Sequence, residues 1–144
     1  HCNLDAERTL GTTLLGLIQS DLVKSAHDCS EGGLAVALAE CTFSGLEARN
    51  TPRFLGAEID VSAVEDVRLD ALLFGESHGR VVITTSELDA VKSVERAKLL
   101  GVPAQRIGTV GGKQLKLKTP AGEHAWDVAG LHDLWWNSIS NAMA

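Results

Sequence analysis

Two short polar runs hold most of the residues able to do chemistry in this 144-residue chain. The first is His27-Asp28-Cys29-Ser30-Glu31-Gly32-Gly33, followed by the apolar run Leu34-Ala35-Val36-Ala37-Leu38-Ala39-Glu40-Cys41. Successive glycines at the start of a buried helix permit close backbone approach, and the N–H groups of a first helical turn suit a phosphate or carboxylate. His27, Asp28, Ser30, Gly32 and Gly33 are therefore candidate ligand- and phosphate-facing residues. A structural explanation covers the same residues: Ser30 as an N-cap, the glycines as packing devices, and His27 as a satisfied near-core histidine. The pattern is neither a Walker loop nor a full dinucleotide fingerprint.

The second run, Gly75-Glu76-Ser77-His78-Gly79-Arg80, is wedged between two apolar stretches and lacks the Asn-Gly character of a hairpin turn. Glu76, Ser77, His78 and Arg80 offer an acceptor, a hydroxyl, an imidazole and a guanidinium to one ligand. The alternative is a surface connection in which Glu76 and Arg80 form an exposed pair of small energetic consequence.

Other chemistries find less support. His27 and Cys29 have no matching pair at zinc spacing, so no metal site is expected. Cys29 beside a helix start reads as a small packed residue rather than a nucleophile. No residue is assigned a catalytic role. Asp60 and Glu65-Asp66 read as solvated surface, and Trp135 and Trp136 as cover for the core or anchors for a partner.

The elements that position these runs follow from periodicity. Ala6, Leu10, Leu14, Leu17 and Ile18 recur at helical spacing between Asp5 and Gln19. Leu22–His27 is extended, and Leu34–Cys41 is apolar nearly all round, as a buried helix is. Thr42–Phe54 contains Ser44-Gly45, Asn50 and Thr51-Pro52, which mark a loop. Gly56–Val61 alternates like a strand, a short helical segment is expected near Val64–Val67, and a second near Arg68–Phe74 stops at Gly75. Val81–Thr85 has the profile of a strand buried on both faces. Ser86 is a natural N-cap for a helix with Leu88, Val91, Val94 and Ala97 on one face, closed by Gly101 and Pro103. Arg106–Val110 and Gln114–Lys118 flank Gly111-Gly112 and predict a hairpin, and Leu131–Ile139 predicts a last helix. No linker or repeat interrupts the chain. The expectation is one α/β domain over residues 1–144, with α-β-α layers and a mixed sheet.

Lys and Arg number 13 against 19 Asp and Glu, a net charge of −6, which disfavours a nucleic-acid face. Apolar residues at 44% and charged residues at 22% describe a packed domain rather than a disordered one. No stretch is apolar for long enough to predict a membrane span. Cys2, Cys29 and Cys41 are an odd number without Cys-x-x-Cys spacing, which fits reduced thiols and a cytoplasmic location. His1 in place of an initiator methionine suggests a processed product or a piece of a longer chain.

The string Ser25-Ala26-His27-Asp28-Cys29-Ser30-Glu31-Gly32-Gly33-Leu34-Ala35-Val36-Ala37-Leu38-Ala39-Glu40, with Leu73-Phe74-Gly75-Glu76-Ser77-His78-Gly79-Arg80-Val81-Val82 and Arg106-Ile107-Gly108-Thr109-Val110, resembles the C-terminal domain of the synthetase subunit of phosphoribosylformylglycinamidine synthase. The resemblance covers nearly the whole chain. It implies a domain of an ATP-dependent carbon–nitrogen ligase that converts formylglycinamide ribonucleotide and glutamine-derived ammonia to the amidine in purine biosynthesis. It also implies ATP and Mg, held mainly by an N-terminal domain absent from this chain, and partners in that domain, a glutaminase and a small accessory subunit. An isolated chain is then expected to be inactive.

In this family the Glu-Ser segment contacts the ribonucleotide in the catalytic half, where a Gln usually stands at the position of His78. That departure, with the chain ending soon after its last helix, favours the second, auxiliary-nucleotide half. Glu31 replaces a commoner Asp with its charge kept. Rival readings are a domain of a sister enzyme (aminoimidazole ribonucleotide synthetase, selenophosphate synthetase, thiamine-monophosphate kinase or a hydrogenase maturation protein) and a free-standing binding or scaffold domain.

Overall fold

The computed structural model describes residues 3–43, 53–64 and 66–143. Its elements in chain order are α1 (Leu4–Gln19), β1 (Ser25–Asp28), α2 (Gly33–Phe43), β2 (Ala57–Asp60), α3 (Leu69–Phe74), β3 (Val81–Thr84), α4 (Ala90–Leu99), β4 (Gly108–Val110), β5 (Gln114–Thr119), β6 (Gly122–Asp127), α5 (Val128–Trp136) and α6 (Ser138–Ala142). Backbone contacts divide them into two units, one formed by residues up to Glu31 with Glu76–Arg106, the other by Gly32–Gly75 with residues from Ile107 onward.

In the first unit, Asn3 caps α1 by accepting from the Ala6 amide, and Asp5 and Glu7 complement the positive end of the helix. β1 and β3 form a two-stranded antiparallel ribbon with His27 opposite Val82 and Asp28 opposite Val81. α1 packs on α4, where Leu17 and Ala97 are buried, and Arg96 Nη1 donates to Ser20 Oγ at 2.9 Å. The β-branched run of β3 is half-buried, not enclosed on both faces, because among the described residues its only strand partner is β1.

α4 also departs from expectation. Ser86 Oγ accepts from the Asp89 amide at 3.2 Å and donates to its carboxylate at 2.5 Å, closing a separate turn before the helix begins at Ala90. Leu88 therefore lies in the turn before the helix, and within α4 it is Ser93 and Ala97 that are buried while Val91 is exposed.

The second unit is built on a mixed four-stranded sheet of order β4-β2-β5-β6. β2 runs antiparallel to β4 and parallel to β5, and β6 closes the sheet antiparallel to β5. Ala57 and Ile59 on β2 and Leu115, Leu117 and Thr119 on β5 are buried, while Glu58, Asp60, Lys116 and Lys118 alternate outward. α2 packs against α3 and α5, which explains why Leu34, Ala37, Leu38 and Phe43 are all buried on a helix with almost no polar face.

The expected hairpin between Arg106–Val110 and Gln114–Lys118 does not form, because β2 lies between β4 and β5. The Gly56 amide donates to the Gly112 carbonyl at 3.0 Å and the Gly111 amide to the Gly56 carbonyl at 2.7 Å, so a distant strand occupies the centre of the glycine turn. A Cβ on Gly56 would stand 2.3 Å from the Gln114 carbonyl oxygen, which leaves room for glycine alone.

Of the segment expected to be helical near Val64–Val67, the described residues Val64, Asp66 and Val67 are not helical. Asp60 Oδ1 accepts from the Ser62 amide and hydroxyl, which favours a turn over a helical start. Glu65 lies outside the described residues, as do Cys2 and the loop signals Ser44-Gly45, Asn50 and Thr51-Pro52. The last helix begins at Val128, capped by Asp127, and breaks at Asn137 rather than running to Ile139.

Candidate functional site

The two polar runs meet in each unit separately. In the first, the β1–β3 pairing carries past the strand ends, where the Cys29 amide donates to the Arg80 carbonyl at 3.0 Å. This brings His27, Asp28 and Ser30 to the same end of the ribbon as Arg80. His27 is half-buried and donates from Nδ1 to the Asp28 carbonyl at 2.7 Å, which fixes the tautomer of its neutral form. Asp28 is exposed and accepts from the Ser30 hydroxyl, so Ser30 holds a carboxylate. That hydrogen bond, with a backbone hydrogen bond and the imidazole 3.9 Å away, lowers the Asp28 pKa from its ordinary 3.8.

Cys29 is buried, and burial pushes its thiol pKa up against a smaller opposing pull from the Arg80 guanidinium. It is a packed residue with no thiolate character at neutral pH. Arg80 is half-buried, while Glu76, Ser77 and His78 are exposed on the preceding turn. A partly buried guanidinium can take an anionic group bidentately, and an exposed, ionised carboxylate can accept from a hydroxyl or N–H. Sequence reading missed Glu7. A Cβ on Gly79, which has φ +75°, would lie 3.1 Å from Glu7 Oε1, so the first turn of α1 adds a carboxylate beside the His78-Gly79 turn. Nothing in the local pattern of α1 marks that proximity, which is set by the helix packing of the unit.

In the second unit, Gly32 and Gly33 adopt φ +73° and +69° at the start of α2. A Cβ on Gly33 would meet the Leu73 carbonyl oxygen at 2.8 Å and the Gly75 carbonyl oxygen at 2.9 Å, and one on Gly32 would meet Val36 Cγ2 at 2.4 Å. The close approach that the glycines permit is made by the end of α3, where the Gly75 amide donates to the Ala71 carbonyl.

Elsewhere in the second unit, an open groove of about 510 Å³ lies against β2, β5 and β6. It contains none of the candidate ligand-facing residues, and Asp60, read from the sequence as solvated surface, lines it. Its charges pair across strands, Lys116 Nζ to Glu58 at 2.6 Å and Lys118 Nζ to Asp60 at 3.2 Å. The Ser62 hydroxyl and amide lower the Asp60 pKa, with Lys118 adding to them, and Glu58 raises that of Lys116. Both groups are exposed, so this face is a solvated salt-bridge ladder. Trp135 tilts against the buried Phe43 with ring centroids 5.4 Å apart, and donates from Nε1 to Glu40 at 3.2 Å. Among the described residues no three His, Cys, Asp or Glu side chains cluster as a metal would need, and no helix is long and apolar enough to cross a membrane.

A mixed α/β fold with a double-glycine turn opening a buried helix and a polar strand-ribbon end is the class of domain that these elements define. The family described as AIR synthase related protein, C-terminal domain, matches residues 3–119, and the chain belongs to it. Phosphoribosylformylglycinamidine synthase subunit PurL of Alkaliphilus metalliredigens is 35% identical over 144 residues, covering 99% of this chain and 18% of the relative. The protein of the same description from Anaeromyxobacter dehalogenans is 38% identical over 139 residues, covering 95% and 18%. Thermotoga maritima PurL complexed with FGAR shares the fold at TM-score 0.71 and 21% identity, over 88% of this chain and 21% of that one. The same protein complexed with ATP gives 0.68 and 22%, over 86% and 21%. The chain spans about a fifth of the length of these relatives.

Proposed function

We propose that this chain is the C-terminal α/β domain of a cytoplasmic, ATP-dependent carbon–nitrogen ligase that converts formylglycinamide ribonucleotide and glutamine-derived ammonia to formylglycinamidine ribonucleotide. The observation that carries this reading is the 35–38% identity to named synthase subunits along nearly the whole chain. Residues 1–144 are taken as one functional domain whose partners are an N-terminal domain of the same polypeptide, a glutaminase and a small accessory subunit.

The ligand-facing residues are His27, Asp28, Ser30, Glu76, Ser77, His78 and Arg80 in the first unit and Gly32 and Gly33 in the second. Arg80 supplies a guanidinium for a phosphate, and Asp28, kept ionised by Ser30, accepts from a ligand hydroxyl or N–H. Glu76, Ser77 and His78 are exposed on the turn that leads to Arg80. Gly32 and Gly33 set the direction of α2. His78, where Gln is usual in the catalytic half, supports assignment to the auxiliary-nucleotide half. ATP and Mg would supply the activation of the amide oxygen.

Isothermal titration of formylglycinamide ribonucleotide and of ATP into the polypeptide carrying this chain tests the reading. Binding of at least one, weakened by Arg80→Lys, supports it. Binding of neither returns the chain to a scaffold role. The isolated chain is expected to hydrolyse no ATP above background.

A further inference from the structure

Gly79 rests on α1. A Cβ there would lie 3.1 Å from Glu7 Oε1 and 3.9 Å from Leu10 Cδ2, two side chains one helical turn apart and both half-buried. With φ at +75°, glycine lets the backbone turn closely over them, so the Glu76–Arg80 segment is seated on a helix at this point. The Glu7 carboxylate has no hydrogen-bond or ion-pair partner among the described residues. A half-buried carboxylate has given up part of its hydration and recovers the loss where a donor reaches it. Helix polarity does not account for its placement, because Asp5 offers the same charge to the first turn of α1 from an exposed position.

We propose that Glu7 is a further contact residue of the ligand-facing edge, a proposal that rests on the reading of that edge given above. Its carboxylate accepts from a hydroxyl or N–H of the ligand whose anionic group Arg80 holds. Gly79 and Arg80 are consecutive, with Cα atoms about 3.8 Å apart, so a carboxylate seated against one and a guanidinium carried by the other serve one edge of the unit. The sign of the Glu7 contribution depends on the ligand. An ionised carboxylate only accepts, so it favours a ligand that brings donors and repels a bare anion. Glu7 thereby selects a nucleotide, with its hydroxyl and N–H groups, over simple phosphate, by repulsion as well as attraction.

Isothermal titration of formylglycinamide ribonucleotide and of ATP into the polypeptide that carries this chain is the test, with inorganic phosphate as competitor and thermal melts confirming that every variant is folded. For the nucleotide whose binding Arg80→Lys weakens, Glu7→Ala should weaken it about tenfold and Glu7→Gln about threefold, since an amide oxygen still accepts but without the charge. Asp5→Asn removes a charge from the same helix end and should stay within about twofold. Inorganic phosphate should compete at least as well in Glu7→Ala as in the wild type, because one repelling charge is gone. Where Arg80→Lys weakens binding, an affinity indifferent to Glu7, equal effects of Glu7→Gln and Asp5→Asn, or a parallel loss of phosphate competition would each overturn the Glu7 contact and leave the edge standing. A wild type that binds neither nucleotide, or an Arg80→Lys variant that binds as the wild type does, would overturn the reading of the edge and the Glu7 contact with it.

Discussion

Gly33 stands so close to Gly75 that it has no room for a side chain: a Cβ there would lie 2.9 Å from the Gly75 carbonyl oxygen and 2.8 Å from that of Leu73. The obstacle is backbone, which cannot rotate away as a side chain can, and φ +69° adds strain for any L residue. Gly33→Ala is expected to cost about 2 kcal/mol and Gly33→Val about 3–4 kcal/mol. Urea denaturation measures both, and a Gly33→Val protein of wild-type stability would refute the close contact.

The Ser30 hydroxyl on Asp28 gives a pH signature. A carboxyl whose folded pKa lies below its ordinary 3.8 stabilises the fold fully above that value, and loses the contribution as pH falls through the lower folded value. Ser30→Ala should move the Asp28 pKa up toward 3.8 in a carboxyl-detected NMR titration. The melting difference between variant and wild type should be present near neutral pH and vanish in strong acid. A difference that grows on acidification would contradict this assignment.

Arg80 and Lys98 separate site from surface. Arg80 is half-buried beside Cys29, and Lys98 is exposed on α4. Arg80→Lys should lower stability by about 1 kcal/mol, because an ammonium cannot reproduce the planar fork, while Lys98→Arg should stay within about 0.5 kcal/mol. Equal melting temperatures for the two variants would mark the Glu76–Arg80 turn as ordinary surface.

Ser93 offers a gain. Its hydroxyl is buried in α4 without a hydrogen-bond partner among the described residues. Ser93→Ala removes that desolvation and raises helix propensity, so it should stabilise the chain by about 1 kcal/mol. A loss in a thermal melt would show that the hydroxyl is satisfied.

Helices whose apolar spacing is set by their own packing were legible in the residues, α1 and α2 most clearly. So were the two polar runs, because glycine pairs and clustered polar types between apolar stretches are local signals. What stayed hidden depends on distant chain. Gly111-Gly112 carries the local marks of a hairpin turn, yet Gly56 fills it with a strand from far earlier in the sequence. β6 went unread because Gly122–Asp127 is exposed along its whole length, and an edge strand lacks the alternation that burial imposes. Leu88 and Val91 share the period of Val94 and Ala97, but the Ser86–Asp89 turn leaves Leu88 outside the helix, and Val91 is exposed. Within the candidate site, Glu7 was invisible because helix packing, not sequence neighbourhood, brings it beside Gly79.

The most direct measurement is ATP-dependent formation of formylglycinamidine ribonucleotide by the polypeptide that carries this chain. The wild type should turn over, with Arg80→Lys and Asp28→Asn each lowering kcat/KM by about tenfold or more, as loss of a charge-assisted contact does. Lys116→Ala, on the solvated sheet face, should stay within about twofold. No turnover by the wild type, or equal rates for Arg80→Lys and Lys116→Ala, would contradict the assignment of this domain and of its ribbon end as the ligand-facing edge.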